Sequence, residues 1–207
     1  ALAFEHASDL AASADNAIKR MCDIFAALFG IILLTPLWII VAAMVRLNDG
    51  GPAFFTQERV GLNGKTFTMF KFRTMRVDAE ELKASLMKAN EADSSAGNSI
   101  MFKMANDPSI TRIGAFLRKT SIDELPQLFN VLRGDMSLVG PRPPLPSEVA
   151  QYEPRVMGKF AVRPGITGLW QISGRSNLTW DETVHLDLSY AQHRSLTLEA
   201  WIMLQTV

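Results

Sequence analysis

The sequence predicts an α+β fold, in which a helix-rich domain carries a small β-hairpin or sheet and follows an N-terminal membrane helix. Three observations support this prediction. Residues 24–45 contain no charged side chain. An Asn-Gly pair at Asn63-Gly64 separates two runs rich in aromatic and β-branched residues, which is typical of a hairpin. Thr179 and Glu182 are spaced as a capping box at the start of a helix over residues 179–193.

Composition limits the classes of function. A chain of 207 residues can form one domain with a core and, in addition, a membrane element. The formal net charge is zero, so nucleic acid is not predicted as a partner. Cys22 is the single cysteine, which excludes an internal disulfide, and the three histidines are too scattered to predict a zinc site. The ends of the chain suggest a fragment of a longer protein.

The apolar run is long enough to cross a bilayer, since its 22 residues would span ~33 Å as a helix. Thr35-Pro36 lies at its middle, where proline removes a backbone donor and predicts a break. Lys19 and Arg20 precede the run, and residues 46–76 carry six basic against two acidic side chains. Positive charge marks the cytoplasmic side, so both flanks favour a re-entrant helix. A plain span and a buried helix of a soluble domain remain as alternatives.

These features divide the chain into three parts. Residues 1–18 are predicted as a lead-in helix or linker, 19–47 as a re-entrant membrane helix broken at Thr35-Pro36, and 48–207 as a cytoplasmic domain. Within that domain, further helices are expected over residues 78–89 and 110–119. Residues 90–99 have the composition of a loop, and four prolines between 139 and 146 predict a rigid, extended path.

The segment Ser121-Ile122-Asp123-Glu124-Leu125-Pro126-Gln127 permits two registers. In the first, Ser121 and Glu124 form a capping box, and the acids only start a helix. Proline would then occupy the fifth helical position, although it prefers the first. In the second register the helix starts at Pro126 and ends at Gly134, so Asp123 and Glu124 precede it and are available for chemistry.

The second register suggests phosphoryl chemistry. A carboxylate can attack phosphorus, and a neighbouring carboxylate can hold a divalent metal. Arginines suit phosphate because their planar fork donates two parallel hydrogen bonds. The candidates are Arg118, Arg142 between two prolines, and Arg175 beside a glycine. A solvated surface arginine is the alternative interpretation for each.

Several long stretches resemble one family. They are the apolar start with Thr35-Pro36 and the segments GPAFFTQERVG, FKFRTM, LRKTSIDELPQLFNVLRGDMSLVGPRP and RPGITGLWQISGR. Over residues 17–207 the chain resembles the bacterial sugar transferases, the monotopic phosphoglycosyl transferases. The family has Ser-Pro at the membrane break, where this chain has Thr35-Pro36.

The resemblance implies a catalytic domain that moves a sugar-1-phosphate from a UDP-sugar, with glucose or galactose expected, to undecaprenyl phosphate and releases UMP. It implies Asp123 as nucleophile, Glu124 as metal ligand or base, and Mg²⁺ held by these two acids. Phosphate and uridine contacts are implied for Arg118, Arg175 and Pro141-Arg142-Pro143. Inner-membrane lipid at the cytoplasmic face is an expected partner, and a homodimer is possible. The alternatives are an inactive membrane-anchored interaction module and another lipid-linked phosphotransferase.

Overall fold

A computed structural model describes the backbone of residues 2–79, 108–174 and 178–206, and the side chains from residue 15 onward within them. It shows the predicted helix-rich fold with little sheet. In chain order the helices and strands are α1 (Leu2–Asp49), β1 (Phe54–Val60), β2 (Thr66–Phe72), α2 (Arg112–Lys119), α3 (Gln127–Arg133), β3 (Ser137–Val139), α4 (Pro146–Val149), β4 (Gly165–Thr167), α5 (Leu169–Ile172), α6 (Trp180–His193) and α7 (Leu196–Thr206).

The predicted hairpin is confirmed. Strands β1 and β2 pair antiparallel, from Phe54 opposite Phe72 to Val60 opposite Thr66. Asn63 and Gly64 both have positive φ angles, of 56° and 74°, which is why this pair suits the turn. The helices predicted near residues 110–119 and 179–193 are confirmed as α2 and α6, and α6 has the capping box. The predictions for 80–107, namely most of the helix at 78–89 and the loop at 90–99, lie outside the described residues.

A second pair of strands, which is parallel, holds the proline-rich segment 139–146 in place. Ser137 of β3 lies opposite Gly165 of β4, and the two strands approach so closely that a Cβ on Gly165 would lie 2.0 Å from the Gly140 nitrogen. Pro141 O accepts a hydrogen bond from Gly165 N, and Pro144 O accepts one from Val60 N. The extended path after β3 is therefore attached to β4 on one side and to the hairpin on the other.

Helix α1 corrects one prediction. It continues through Thr35 and Pro36 without an interruption, contrary to the predicted break. The proline has no N–H to donate to the carbonyl of Ile32. The neighbouring Thr35 Oγ1 donates to a different carbonyl, that of Ile31, at 2.7 Å. Packing holds the helix on both sides of the proline, through Gly30 against Leu128 and through the Trp38 ring against the ring of Phe72. The lead-in residues are also part of this one helix.

The inner and outer faces of α1 differ sharply in burial. The inner face supplies Ala27, Trp38, Val41 and Val45 to the main core, which also contains side chains from β2, α2 and α3. The outer face exposes eleven large hydrophobic side chains, which are Ile18, Met21, Phe25, Leu28, Phe29, Ile32, Leu33, Ile39, Ile40, Met44 and Leu47. An apolar surface of this extent marks an interaction with a membrane or a partner. Over residues 15–49 the helix is long and apolar enough to cross a bilayer.

Polar contacts attach both ends of the apolar run to the rest of the domain. At the N-terminal end, Lys19 forms an ion pair with Glu199 at 2.7 Å, and Arg20 donates to the carbonyl of Val131 at 2.6 Å. At the C-terminal end, Asp49 forms an ion pair with Arg73. The two ends of the run are therefore held by the same folded body.

The bounds of α3 agree with the second of the two predicted registers, in which the helix starts at Pro126 and ends at Gly134. Pro126 is its N-cap residue, and Gly134 ends it in the left-handed conformation with φ of 91°. Ser121 also has a left-handed φ, of 55°, and its side chain makes no capping hydrogen bond. The capping box at Ser121 and Glu124 is therefore wrong, and the two acids precede the helix in a 3₁₀ turn, Ile122–Glu124.

The buried side chain of Asn130 joins α3 to β2. Its Oδ1 accepts from Phe70 N at 3.0 Å, and its Nδ2 donates to Thr68 O at 2.7 Å. Asn130→Ala would leave both backbone groups without their partner, so we expect it to lower the free energy of unfolding by about 2 kcal/mol. Thermal unfolding in detergent would measure this loss. Gln151→Ala, which removes an exposed amide, is the control, and equal losses in both variants would contradict the prediction.

Candidate active site

Asp123 and Glu124 lie between α2 and α3, at a place where three elements meet. The 3₁₀ turn that carries them packs against α2 and β2. The side chain of Asp123 is almost fully buried, whereas Glu124 remains about one-third exposed. Adjacent acids thus have different surroundings, which suits different roles.

Two cations lie beside the acids. Lys71 of β2 forms an ion pair with Glu124, with 2.8 Å between Nζ and Oε1. Arg118 of α2 is held by a hydrogen bond from its Nε to Thr74 Oγ1 at 2.9 Å. The charges of both Lys71 and Arg118 act on the Asp123 carboxylate. The predicted grouping of Arg118 with the two acids is therefore present in the fold.

Burial dominates the electrostatics of Asp123. It raises the pKa of this carboxyl group to about 6, and the neighbouring Glu124 adds to the rise. Lys71 and Arg118 lower the pKa and offset part of the effect. A buried carboxylate near neutral pH is poorly solvated, which makes it a better nucleophile than one in water.

The predicted Pro141-Arg142-Pro143 element forms the next part of the site. Arg142 pairs with the buried carboxylate of Glu148, with 3.3 Å between NH1 and Oε2. Glu148 in turn accepts from Leu145 N at 2.8 Å, so the arginine is held in a rigid loop. Arg175, the remaining predicted residue, lies outside the described residues.

Arg59 connects this loop to the acids. Its guanidinium donates to Pro143 O at 3.0 Å, and it lies within electrostatic reach of Arg142, Glu148 and Glu124. Burial, followed by the charge of Arg142, lowers its pKa to about 10. Cations from the hairpin and α2 therefore act on the acidic pair, and Arg59 links them to Arg142 of the proline-rich loop.

Sequence reasoning missed Arg59 and Lys71 as site residues. Both lie on strands of the hairpin, 65 and 53 residues before Glu124. Their segments, GPAFFTQERVG and FKFRTM, stood out only as stretches of resemblance. The available signal was the presence of a basic side chain on each strand of the predicted hairpin.

The acids fit a magnesium ion that is shared with a phosphate ligand. Among the described residues, no group of three or more His, Cys, Asp or Glu side chains forms a complete metal site. Mg²⁺ needs no such group, because it commonly binds one or two carboxylates together with water and substrate phosphates. The carboxylates of Asp123 and Glu124 supply that donor set.

Known proteins match this chain over nearly its whole length. Residues 14–207 match the family described as "Bacterial sugar transferase". The chain is 48% identical over 190 residues to "Galactosyl transferase CpsE" of Streptococcus agalactiae, covering 91% of this chain and 41% of that protein. It is 42% identical over 199 residues to "Undecaprenyl-phosphate galactose phosphotransferase" of Salmonella typhimurium, covering 96% and 41%.

A shorter relative matches over most of its length. "Exopolysaccharide production protein ExoY" of Rhizobium meliloti is 40% identical over 189 residues, which cover 91% of this chain and 83% of that protein. The chain thus spans about two fifths of the first two relatives and most of the third. With a match across residues 14–207, the chain belongs to the bacterial sugar transferase family.

Proposed function

We propose that this chain is a phosphoglycosyl transferase, which moves a sugar-1-phosphate from a UDP-sugar to undecaprenyl phosphate and releases UMP. The observation that carries the proposal is the position of buried Asp123 next to Glu124, Lys71 and Arg118. The names of two relatives, which specify undecaprenyl phosphate in one case and a lipid carrier in the other, agree with it. The reaction would be a first membrane step in the synthesis of an exopolysaccharide, capsule or O-antigen.

The chemistry proceeds in two displacements. A carboxylate oxygen of Asp123 attacks the phosphorus that carries the sugar, a new P–O bond forms, and the bond to the bridging oxygen breaks. UMP leaves with that electron pair. An oxygen of undecaprenyl phosphate then attacks the same phosphorus, and the bond to Asp123 breaks. This second displacement returns the carboxylate and gives a lipid diphosphate sugar.

Both substrates are anions, so the site must offset charge. Lys71 and Arg118 lie beside the acids. Arg59 of β1, and Arg142 of the proline-rich loop to which Arg59 is hydrogen-bonded, suit a diphosphate. Mg²⁺, held by Glu124 with Asp123, would supply further positive charge against the phosphate oxygens. The ion pair with Lys71 orients the Glu124 carboxylate for this role.

The attachment of α1 supports a location of the domain on a single face of the membrane, and the basic flanks of the apolar run favour the cytoplasmic face. Contacts at Lys19 and at Asp49 hold both ends of the apolar run to the catalytic body, so a helix that crossed the bilayer would separate contacts that the fold makes. We propose that α1 enters the bilayer from one side, with its exposed apolar face in lipid. This keeps both ends of the apolar run on one face of the bilayer without requiring an interruption at Thr35 and Pro36.

The same helix brings lipid close to the acids. The Trp38 ring of α1 contacts the Phe129 ring of α3 at 5.2 Å between centroids. Phe129 is partly exposed, as is Phe116 on the helix that carries Arg118. These aromatic side chains lie on the helices that precede and follow the acids, and they suit the approach of a polyprenyl chain.

The test is UMP release. Purified protein in detergent, given Mg²⁺, a polyprenyl phosphate and a panel of UDP-sugars, should release UMP with UDP-glucose or UDP-galactose. Omission of the lipid should leave a sugar-phosphate adduct on Asp123, which intact-mass analysis of a quenched sample detects. No UMP with any UDP-sugar would favour an inactive membrane-anchored module. Turnover without an adduct would contradict the covalent route alone.

A further inference from the structure

A second polar pocket lies at the N-terminal end of the apolar run of α1. Its enclosed volume is about 20 Å³, and the space that includes its open mouth is about 300 Å³; it lies between α1, β3 and the end of α6. Its walls include Lys19 and Arg20 from α1, Ser137 from β3, Arg163 just before β4, and Arg194 between α6 and α7. None of these residues belongs to the proposed transfer chemistry.

The charge of this pocket is positive. Lys19 lies between two acids, Asp23 and Glu199, with 2.7 Å to each. Three arginines, Arg20, Arg163 and Arg194, line the same space. Four cations therefore face two carboxylates, and the excess of two positive charges favours an anion.

The arginines are held in place but not saturated. Arg20 donates to the carbonyls of Val131 and Leu132, and Arg163 donates through Nε to the carbonyl of Gly134 at 2.9 Å. These contacts neutralise no charge, since carbonyls are dipoles. Within the described part of the chain, the terminal nitrogens of Arg163 have no protein partner, and they can donate to an anion as a planar fork.

Ser137 supplies an independent observation. Its side chain is 3% exposed, and among the described residues its Oγ has no hydrogen-bond partner although it lines the pocket. A buried hydroxyl without a partner is costly, so such groups usually meet water or a ligand. The Ser137 hydroxyl and the guanidinium groups beside it form a set of hydrogen-bond donors that suits phosphate oxygens.

The pocket is distinct from the candidate active site. Asp123 and Glu124 precede the first residue of α3, whereas Arg20 and Arg163 contact the carbonyls at its last turn. The helix and its cap residue span ~10 to 15 Å between these two places. An anion in this pocket therefore lies at the far end of α3 from the reacting phosphorus.

We infer that this pocket binds a phosphate group, through Ser137, Arg163 and Arg194. A membrane phospholipid is the source that the position favours. Lys19 and Arg20 lie at the start of the apolar run, and the exposed side chains of Met21 and Phe25 follow on the same helix. A headgroup phosphate at the bilayer surface would reach the pocket while its acyl chains lie along the outer face of α1.

Binding is tested on purified protein in neutral detergent. Inorganic phosphate, phosphatidylglycerol and phosphatidylcholine are titrated separately, at an ionic strength kept constant with chloride, and thermal unfolding gives the dissociation constants. Arg194→Gln should weaken binding about tenfold and Ser137→Ala about threefold, because each removes a donor to a charged ligand. Arg155→Gln, which alters an exposed arginine paired with Glu153 and Asp181, is the control.

The titrations with different probes distinguish a phospholipid headgroup from free inorganic phosphate as the source of the bound phosphate. Variant effects with phosphatidylglycerol alone identify a lipid headgroup, and effects with inorganic phosphate alone identify a free anion. If both variants bind every probe as tightly as wild type, the site does not exist. The readout needs no turnover, so failure to release UMP would overturn the proposed function and leave this result intact.

Discussion

Asp123→Asn is expected to abolish UMP release, with a loss of at least about 10³-fold in kcat, because an amide cannot attack phosphorus. The substitution preserves shape and keeps a hydrogen-bond acceptor, so the protein should fold and still bind the UDP-sugar. Lipid-dependent UMP release and intact-mass detection of the adduct would both report the loss. Asp181→Asn, at an exposed acid paired with Arg155, should leave both signals unchanged.

The same substitution should stabilise the protein at neutral pH. Burial raises the pKa of Asp123 to about 6, so the native state binds this proton more tightly than the unfolded chain. The native carboxyl group is neutral below pH ~4, and the cost of its ionisation grows as pH rises through about 6. Asparagine never carries this charge.

In EDTA, the free energy of unfolding of Asp123→Asn should therefore exceed that of wild type by about 2 kcal/mol at pH 8, and the difference should vanish near pH 4. Denaturant unfolding at the two pH values measures it. If Asp123→Asn released UMP normally, Asp123 would not be the nucleophile and its role would be structural. A variant that is inactive but less stable at pH 8 would show that the carboxylate is well satisfied in the native state.

Gly114→Ala is expected to have the largest effect on stability. A Cβ at this position would lie 1.9 Å from the carbonyl oxygen of Thr74, so α2 would have to move away from the end of β2. Backbone atoms cannot rotate aside as a side chain can, and we expect a loss of more than about 3 kcal/mol. Thermal unfolding would register the loss, and UMP release would fall as well because Arg118 is attached to Thr74.

A second glycine substitution, Gly64→Ala, distinguishes the cost of steric overlap from the cost of backbone strain. Gly64 has φ of 74° but no atom within 4 Å of its added Cβ, so Gly64→Ala tests strain without overlap. Its expected cost is about 1 kcal/mol. Equal losses at both glycines would show that α2 can adjust its position, which would contradict the tight contact at Thr74.

Local chemistry explains what the sequence predicted correctly. Asn63-Gly64 adopts positive φ angles that few other pairs tolerate, and Pro126 with Gly134 marks the two ends of α3. Each of these rules acts over a few residues. The position of Asp123 and Glu124 before a helix follows from them, and so does their availability for chemistry.

Long-range packing explains what the sequence did not predict. The rule that proline interrupts a helix was overridden at Pro36, because α1 is packed against the domain on both sides of that residue. Lys71 reaches Glu124 only after the hairpin folds against the turn that carries the acids. No spacing along the chain encodes either contact.

The ion pair between Lys19 and Glu199 has a consequence for biosynthesis. Its partners are separated by 199 − 19 = 180 residues, so the lysine is made long before its acid. At ~5 to 20 residues per second, translation leaves roughly 10 to 40 s between them. During that interval the nascent apolar helix has left the ribosome without the last element that attaches its N-terminal end. During delivery to the membrane, the apolar side chains of α1 must therefore be protected from water, or α1 must complete its packing against the domain only after α7 has been synthesised.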